Sequence, residues 1–192
     1  MKNQRTDKRN SIRIIGGVLR SRNISFPDGE GLRPTADRIR ETLFNWLQDC
    51  IRASVCLDLF AGSGALGIEA LSRGAKQVLF IERNAVAAAA INKNLQQLEQ
   101  AAGTVITAEA TQWLTDGADN GTQFDIVFLD PPFNEDNHYQ IYANLDKSKC
   151  LKRGCKIYIE SPDNLDDAMM PGDWQRLKQK RAGQVHFFLF EA

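Results

Sequence analysis

The sequence predicts an α/β fold: a doubly wound, mostly parallel sheet with a small N-terminal β-hairpin extension. Three observations predict it. From residue 54 onward short apolar runs alternate with helical segments, and repeated βα units build a parallel sheet covered on both faces. Near the start, two strand-like runs flank Gly16-Gly17, which reads as a hairpin. The chain has 192 residues, 43% of them hydrophobic, enough for one globular core. The expected organisation is a basic arm and hairpin over residues 1–34, then one domain over residues 35–192.

Taken in order, residues 1–11 are polar and charged. Residues 12–15 and 18–26 are the two hairpin strands. Arg20 and Arg22 lie two apart in the second run, so on a strand they share one face. With Arg13 they would suit a phosphate backbone; an ordinary exposed ribbon face fits the same residues. Residues 27–34 form a Gly/Pro-rich loop. Thr35 can cap a helix over residues 35–50, with Ile39, Leu43, Phe44, Trp46 and Leu47 as its apolar stripe. Trp46 is expected in the core. Arg33, Thr35 and Arg38 stand at the loop-to-helix junction, where free N–H groups and positive charge can hold a carboxylate. Simple capping is the alternative.

The alternating units follow. Strands are expected at 55–60, 77–82, 104–108, 124–130 and 155–160. Helices are expected at 64–72, 84–101, 111–114 and 139–145. Residues 174–180 and 185–190 should close the sheet as an antiparallel pair around Ala182-Gly183.

Charge is unevenly spread. The first 40 residues hold ten Lys or Arg against four Asp or Glu, a net +6. The chain totals are 24 and 24, so the remaining 152 residues carry fourteen against twenty, a net −6. Such asymmetry suggests a polyanion-binding arm on an acidic body, or a solvated tail. Arg33 and Arg40 belong to the same basic group. Cys50, Cys56, Cys150 and Cys155 include no CxxC pair, and only two His occur. Neither a zinc site nor a disulfide framework is expected, and free thiols fit a cytoplasmic protein. The basic N-terminus lacks an apolar segment of the secretory type. No run reaches eighteen apolar residues, so no membrane span is expected.

The first strand of the alternating region ends in residues 58–67, DLFAGSGALG. This is a full GxGxxG between a strand and a helix, the context the motif requires. Gly62 and Gly64 let the backbone turn and approach a ligand with no Cβ in the way. Gly67 lets helix and strand pack closely. Glu82 ends the next strand, twenty residues after Gly62, where a carboxylate can accept both hydroxyls of a ribose. A nucleoside ligand follows; a glycine turn beside a surface Glu is the plainer alternative. Asp58 is expected at the mouth of the same crevice. A carboxylate there repels a pyrophosphate and suits a ligand with an ammonium and a sulfonium, such as S-adenosylmethionine.

Asp130-Pro131-Pro132-Phe133 follows the most apolar strand. Neither proline offers an N–H to the ladder, so the chain turns outward at Asp130. An acid-and-proline turn is all that these four residues require. In a doubly wound sheet, however, the first and fourth strands become neighbours, and ligands bind at their carboxyl ends. The tetrad and the glycine loop would then flank one crevice. The Asp130 carboxylate and the Pro131 carbonyl match the two N–H groups of an exocyclic amine, and Phe133 offers a face for a planar base.

These residues resemble a known family. Asp58-Leu-Phe-Ala-Gly-Ser-Gly with Asp130-Pro-Pro-Phe is similar to amino-methylating class I S-adenosylmethionine-dependent methyltransferases. More narrowly, Arg13-Ile-Ile-Gly-Gly, residues 31–47 (GLRPTADRIRETLFNWL), residues 62–74 (GSGALGIEALSRG) and Gly183-Gln184-Val185 resemble the bacterial 16S ribosomal RNA guanine-N2 methyltransferase D family. The likeness runs from about residue 11 to residue 190. The tetrad alone would also admit DNA adenine enzymes.

The resemblance implies a seven-stranded Rossmann-like sheet. It implies transfer of one methyl from S-adenosylmethionine to a guanine 2-amino group of 16S rRNA, in the assembled or assembling small subunit. Asp130 and Pro131 would hold the amine, with Pro132 in the same corner, and Phe133 would stack the base. Gly62 and Gly64 would line the methionine portion of the cofactor, and Glu82 its ribose. Thr35 and Arg38 would lie near its carboxylate, and Glu109 near the adenine amine. No metal is needed, and a monomer is the expectation. Glu135 and Asp136, directly after the tetrad, depart from what an RNA-contacting loop calls for. A DNA adenine enzyme, a non-catalytic assembly factor and a dehydrogenase are the other readings.

Overall fold

The computed structural model describes residues 10–27, 37–116, 118, 121–132 and 138–192. The expectations for the arm, the Gly/Pro loop, Arg33, Thr35, Phe133, Glu135 and Asp136 lie outside the described residues.

A seven-stranded sheet forms the body. Its strands are β3 (Val55–Asp58), β4 (Gln77–Glu82), β5 (Gly103–Thr107), β6 (Phe124–Leu129), β7 (Leu151–Ser161), β8 (Gln175–Ala182) and β9 (Val185–Glu191). The spatial order is β5-β4-β3-β6-β7-β9-β8. The first five of these are parallel; β9 pairs antiparallel with both β7 and β8. The order reverses once, between β3 and β6, as the doubly wound reading requires. β7 is longer than expected, beginning at Leu151 rather than Cys155.

Side chains alternate between two cores, as period-2 strands demand. Cys56, Val78, Phe80, Ile126, Phe128 and Tyr158 face α1 (Asp37–Trp46), α2 (Ala65–Ser72) and α3 (Ala85–Gln97). Leu57, Leu79, Ile81, Val127, Leu129 and Ile157 face α4 (Ala110–Asp116) and α5 (His138–Lys147). The alanine-rich α3 starts where Asn84 caps it, its side-chain oxygen accepting the Val86 and Ala87 N–H groups at 2.9 and 3.1 Å. Trp46 is half-buried and stacks on Phe187, ring centroids 5.3 Å apart.

The hairpin exists but is built differently from expectation. Its strands are β1 (Asn10–Arg13) and β2 (Asn23–Phe26), paired in register from Asn10↔Phe26 to Arg13↔Asn23. Residues 14–22 are the connection, and Gly16-Gly17 is not a two-residue turn. A Cβ on Gly17 would stand 1.8 Å from the Ser72 carbonyl oxygen. The glycines therefore serve close approach to the end of α2. The Val18 N–H donates to the Ser72 carbonyl at 2.8 Å, and Ser72 Oγ donates to the Gly16 carbonyl at 2.5 Å.

That placement changes three arginines. Arg20 and Arg22 sit in the connection, not on one strand face, and Arg22 donates to the Gln97 carbonyl at 3.0 Å. Arg40 is 1% exposed. Its guanidinium donates to the Arg13 carbonyl at 3.0 Å and to Asp37 at 2.6 Å, and lies 3.8 Å from Glu69. A group this buried has no face for phosphate, so Arg40 is a structural residue. Glu69, wholly buried, accepts the Ile15 and Gly16 N–H groups, each at 2.8 Å, and Arg73 Nε at 2.8 Å. No helix among the described residues is long and apolar enough to cross a membrane.

Candidate functional site

The carboxyl edge of the parallel strands carries one acid per strand. Asp58 ends β3, Glu82 ends β4, Asp130 directly follows β6, Glu160 lies one residue from the end of β7, and Glu109 follows β5 by two residues. Each apolar strand stops where a polar residue meets the sheet edge, and βα turns place those residues around a common crevice.

The glycine corner and the aspartyl-prolyl corner leave adjacent strands. Asp58 is in register with Phe128. The Leu59 N–H donates to the Phe128 carbonyl at 3.1 Å, two residues before Asp130. Both corners thus open on the same edge. Gly62 and Gly64 adopt φ values of 52° and 76°, left-handed backbone that a side chain disfavours. A Cβ on Gly64 would also press on Ile91 at 3.0 Å. Gly67 plays the packing role expected of it: a Cβ there would meet the Phe80 ring at 2.1 Å.

Asp58 differs from expectation in its place. It is buried beneath the corner rather than set at the mouth, 3% exposed, and accepts the Gly67 N–H at 3.0 Å. Burial pushes its carboxyl up to about 7, against the pull of the Gly67 N–H and with a further upward push from the nearby Glu82 charge. Glu82 accepts the Gly62 N–H at 2.7 Å with one oxygen and the Asn84 N–H at 2.7 Å with the other. It therefore braces the glycine corner, and each oxygen keeps a lone pair for a ligand hydroxyl.

Glu109 is the capping acid of α4. It accepts the Thr111 and Gln112 N–H groups at 2.8 and 3.1 Å, and the Thr111 hydroxyl. Burial opposes its ionisation, but these donors together hold its carboxyl below the usual range. Arg38 is exposed in the first turn of α1. Arg13 is exposed on β1, and its carbonyl receives Arg40.

Asp130 and Pro132 are half-buried, and Pro131 is buried between them. Beside them the structure reveals a pair that the sequence reading left without a role. Tyr158, fully buried, donates its hydroxyl to Glu160 at 2.8 Å. Burial, then the charges of Glu160 and Asp130, push the phenol far above its ordinary range. The hydroxyl therefore stays a donor and fixes Glu160, itself 4% exposed, beside the Asp130 corner. An acid ending the apolar run Ile157-Tyr158-Ile159 was the available signal.

A separate cleft of about 300 Å³ lies at the opposite, amino edge, lined by residues such as Cys50, Arg52, Ser54, Asp125, Lys152 and Arg153. There Asp125 accepts the Val55 N–H and Lys152 Nζ, each at 2.7 Å. Those bonds tie β3, β6 and β7 together. The cleft is far from both corners, a full strand length away.

Crevice chemistry is acceptor-rich and negatively charged, with a backbone corner that admits close approach. It suits a cationic ligand with hydroxyls and an amine that donates two hydrogen bonds.

Comparison with known proteins agrees with this architecture. Ribosomal RNA small subunit methyltransferase D of Haemophilus influenzae is 42% identical over 98% of this chain and 97% of its own. The Escherichia coli protein of that name is 42% identical over 94% and 89%. The solved yhhF structure from Escherichia coli superposes with a TM-score of 0.85 at 41% identity, covering 95% of this chain and 98% of that one. The family model described as conserved hypothetical protein 95 matches residues 12–191. With nearly its whole length matched in each comparison, the chain belongs to the conserved hypothetical protein 95 family, together with the small-subunit ribosomal RNA methyltransferase D proteins.

Proposed function

We propose that this protein methylates small-subunit ribosomal RNA, transferring one methyl from S-adenosylmethionine to the 2-amino group of a guanine. The observation that carries this reading is the register of β3 against β6, which sets the glycine corner and Asp130-Pro131 side by side on one edge. The names of the near-full-length relatives support the RNA substrate.

The residues present fit the donor. Two carboxyls, Asp58 and Glu82, crowd one crevice, and burial holds Asp58 partly neutral. A ligand bringing positive charge relieves that cost. Glu82 retains lone pairs for the ribose. S-adenosylmethionine supplies a methyl on a sulfonium sulfur, which needs no metal.

Asp130 and Pro131 do the positioning. A guanine amine is a poor nucleophile because its lone pair is delocalised into the ring. Hydrogen bonds from its two N–H groups to the Asp130 carboxylate and the Pro131 carbonyl hold it and favour a pyramidal nitrogen. The lone pair then points at the methyl carbon. The N–C bond forms as the S–C bond breaks, and the amine proton leaves to Asp130 or to water. Alignment of this kind supplies up to roughly 7–11 kcal/mol. Phe133 stacks the unpaired base, whose extrusion costs about a few kcal/mol unless it lies in a loop. The enzyme works as a cytoplasmic monomer on the assembled or assembling small subunit.

The test is transfer of tritiated methyl to small subunits from cells lacking this protein, followed by mapping of the modified nucleotide. Label on a guanine N2 is expected. Label on duplex DNA adenine instead, or on no RNA, refutes the reading. Asp130→Ala should abolish transfer while leaving cofactor affinity near wild type; normal turnover in that variant would remove Asp130 from the amine site.

A further inference from the structure

We propose that the edge strand β8 is the phosphate-binding strip for the substrate RNA, through Lys178, Lys180 and Arg181. The inference rests on the RNA reading above and says where the strand beside the target base is held.

The site itself cannot do this. All five parallel strands end in or near a carboxylate, and a row of that sign repels phosphate. Of the N-terminal arginines, Arg40 is buried and Arg22 is tied to the Gln97 carbonyl. The hairpin that carries Arg22 packs on α2 and α3, the helices that lie against β4 and β5. That is the far side of the glycine corner from Asp130.

On the other side stands β8. From Gln175 to His186 the sequence carries four cations and no acid. Arg176 turns inward: it donates to the Leu165 carbonyl at 2.6 Å and lies over the Phe188 ring at 4.9 Å. Lys178, Lys180 and Arg181 are exposed. The two lysines have no ion-pair partner among the described residues, and Arg181 donates only to the Gly183 carbonyl, at 2.9 Å.

Register fixes where these charges lie. Lys180 pairs with Phe187, Phe187 pairs with Glu160, and Leu129 pairs with Ile159. Lys180, Glu160 and Asp130 therefore form one row across the sheet. Three strand spacings separate Asp130 from Lys180, about 14 Å. That is within reach of the phosphates flanking an unstacked base. Lys178 and Lys180 share the face of Leu189 and Phe187, whereas Arg181 shares the face of His186. Positive charge thus flanks the sheet edge on both faces, and among the described residues no strand pairs with the outer side of β8. Side-chain cations along an edge strand match an extended sugar-phosphate chain. Cations on an edge strand also guard against unwanted strand pairing, and the experiment separates the two roles.

Binding of fluorescein-labelled single-stranded RNA of small-subunit sequence is measured by anisotropy across a salt series. The proteins are wild type, Lys178→Ala/Lys180→Ala/Arg181→Ala, and Arg52→Ala/Lys76→Ala/Arg153→Ala. The last set removes three exposed cations at the amino edge, so net charge is matched. The strip variant should lose roughly 0.7 of salt slope per phosphate contact, about 2 in all, and bind at least about tenfold more weakly. In methyl transfer the loss should fall on the RNA KM. The amino-edge variant should match wild type. A strip variant with an unchanged slope, or equal losses in both variants, overturns the proposal. Gln replacements at the same three positions keep the edge polar and should reproduce the loss, which separates it from misfolding. Wild type that binds RNA through the strip yet methylates none defeats the earlier reading alone; wild type that methylates normally with an unaltered strip variant defeats the strip alone.

Discussion

Glu82 reaches from the end of β4 to accept the Gly62 N–H at 2.7 Å. The bond joins the two halves of the proposed nucleoside site, the glycine corner and the end of β4. The same carboxylate expected to hold a ribose therefore also sets the shape of the corner that meets the rest of the ligand. Replacing Glu82 by Gln leaves one acceptor oxygen where two are in use, because the second, on Asn84 N–H at 2.7 Å, is lost to an amide. Hydrogen bonds to a charged group are worth about 1.5–3 kcal/mol. Glu82→Gln should weaken S-adenosylmethionine binding by at least about tenfold in calorimetry. Wild-type affinity in that variant would show that the brace is dispensable.

Gly67 tests the packing beneath the corner. A methyl there would sit 2.1 Å from Phe80 Cε1 and 2.9 Å from Val78 Cγ1, both in the core. Alanine is the better helix former by about 1 kcal/mol, so propensity alone predicts a gain. Overpacking costs about 1–3 kcal/mol and should win. Gly67→Ala is expected to unfold at lower urea than wild type. Gly172→Ala, with open space around it, should unfold within about 0.5 kcal/mol of wild type.

The parallel sheet was legible because each strand is a short apolar run closed by a turn, and strand order followed from the doubly wound rule. Both corners were legible because their residues are contiguous in sequence. What stayed hidden depends on partners far along the chain. Gly16-Gly17 looks like a hairpin turn locally, but its reason is Ser72, some 55 residues on. Arg40 reads as a surface cation until Glu69 is placed beside it. The β8 cations were masked by the acidic balance of residues 41–192 as a whole, and only register shows that Lys180 shares a row with Asp130. Glu160 carried a visible signal, an acid ending a strand, but no neighbour to give it meaning.

Arg40 and Glu69 yield a prediction that separates structure from RNA binding. Glu69 is wholly buried and holds Arg73, the 15–16 backbone and, at 3.8 Å, Arg40. Breaking a buried ion pair from one side costs about 3–5 kcal/mol when the remaining charge is orphaned; Glu69 keeps Arg73 and two backbone N–H groups, so the low end of that range applies. Arg40→Ala should lose stability of that order in urea unfolding. It should also expose the hairpin connection to limited proteolysis. Native stability with weakened RNA binding would return Arg40 to the RNA surface.

Asp58 predicts a pH dependence with a definite sign. Burial raises its carboxyl from 3.8 to about 7 in the folded protein. A raised folded value means that the group contributes most to stability below about pH 3.8. That contribution fades as pH climbs toward 7, because the unfolded chain then binds fewer protons than the native one. The loss is on the order of a few kcal/mol. Asp58→Asn keeps an oxygen for the Gly67 N–H and cannot ionise, so it should flatten the decline and melt at a higher temperature than wild type at pH 8. Ligand binding should run the other way. A ligand cation favours the ionised carboxyl, so binding below pH 7 must expel a proton, and affinity for S-adenosylmethionine should rise close to tenfold per pH unit up to about 7. Calorimetry in two buffers of different ionisation enthalpy counts the released proton directly. Affinity that does not change between about pH 5.5 and 8, with no proton released, would mean that Asp58 keeps one charge state through binding and only holds the first turn of α2.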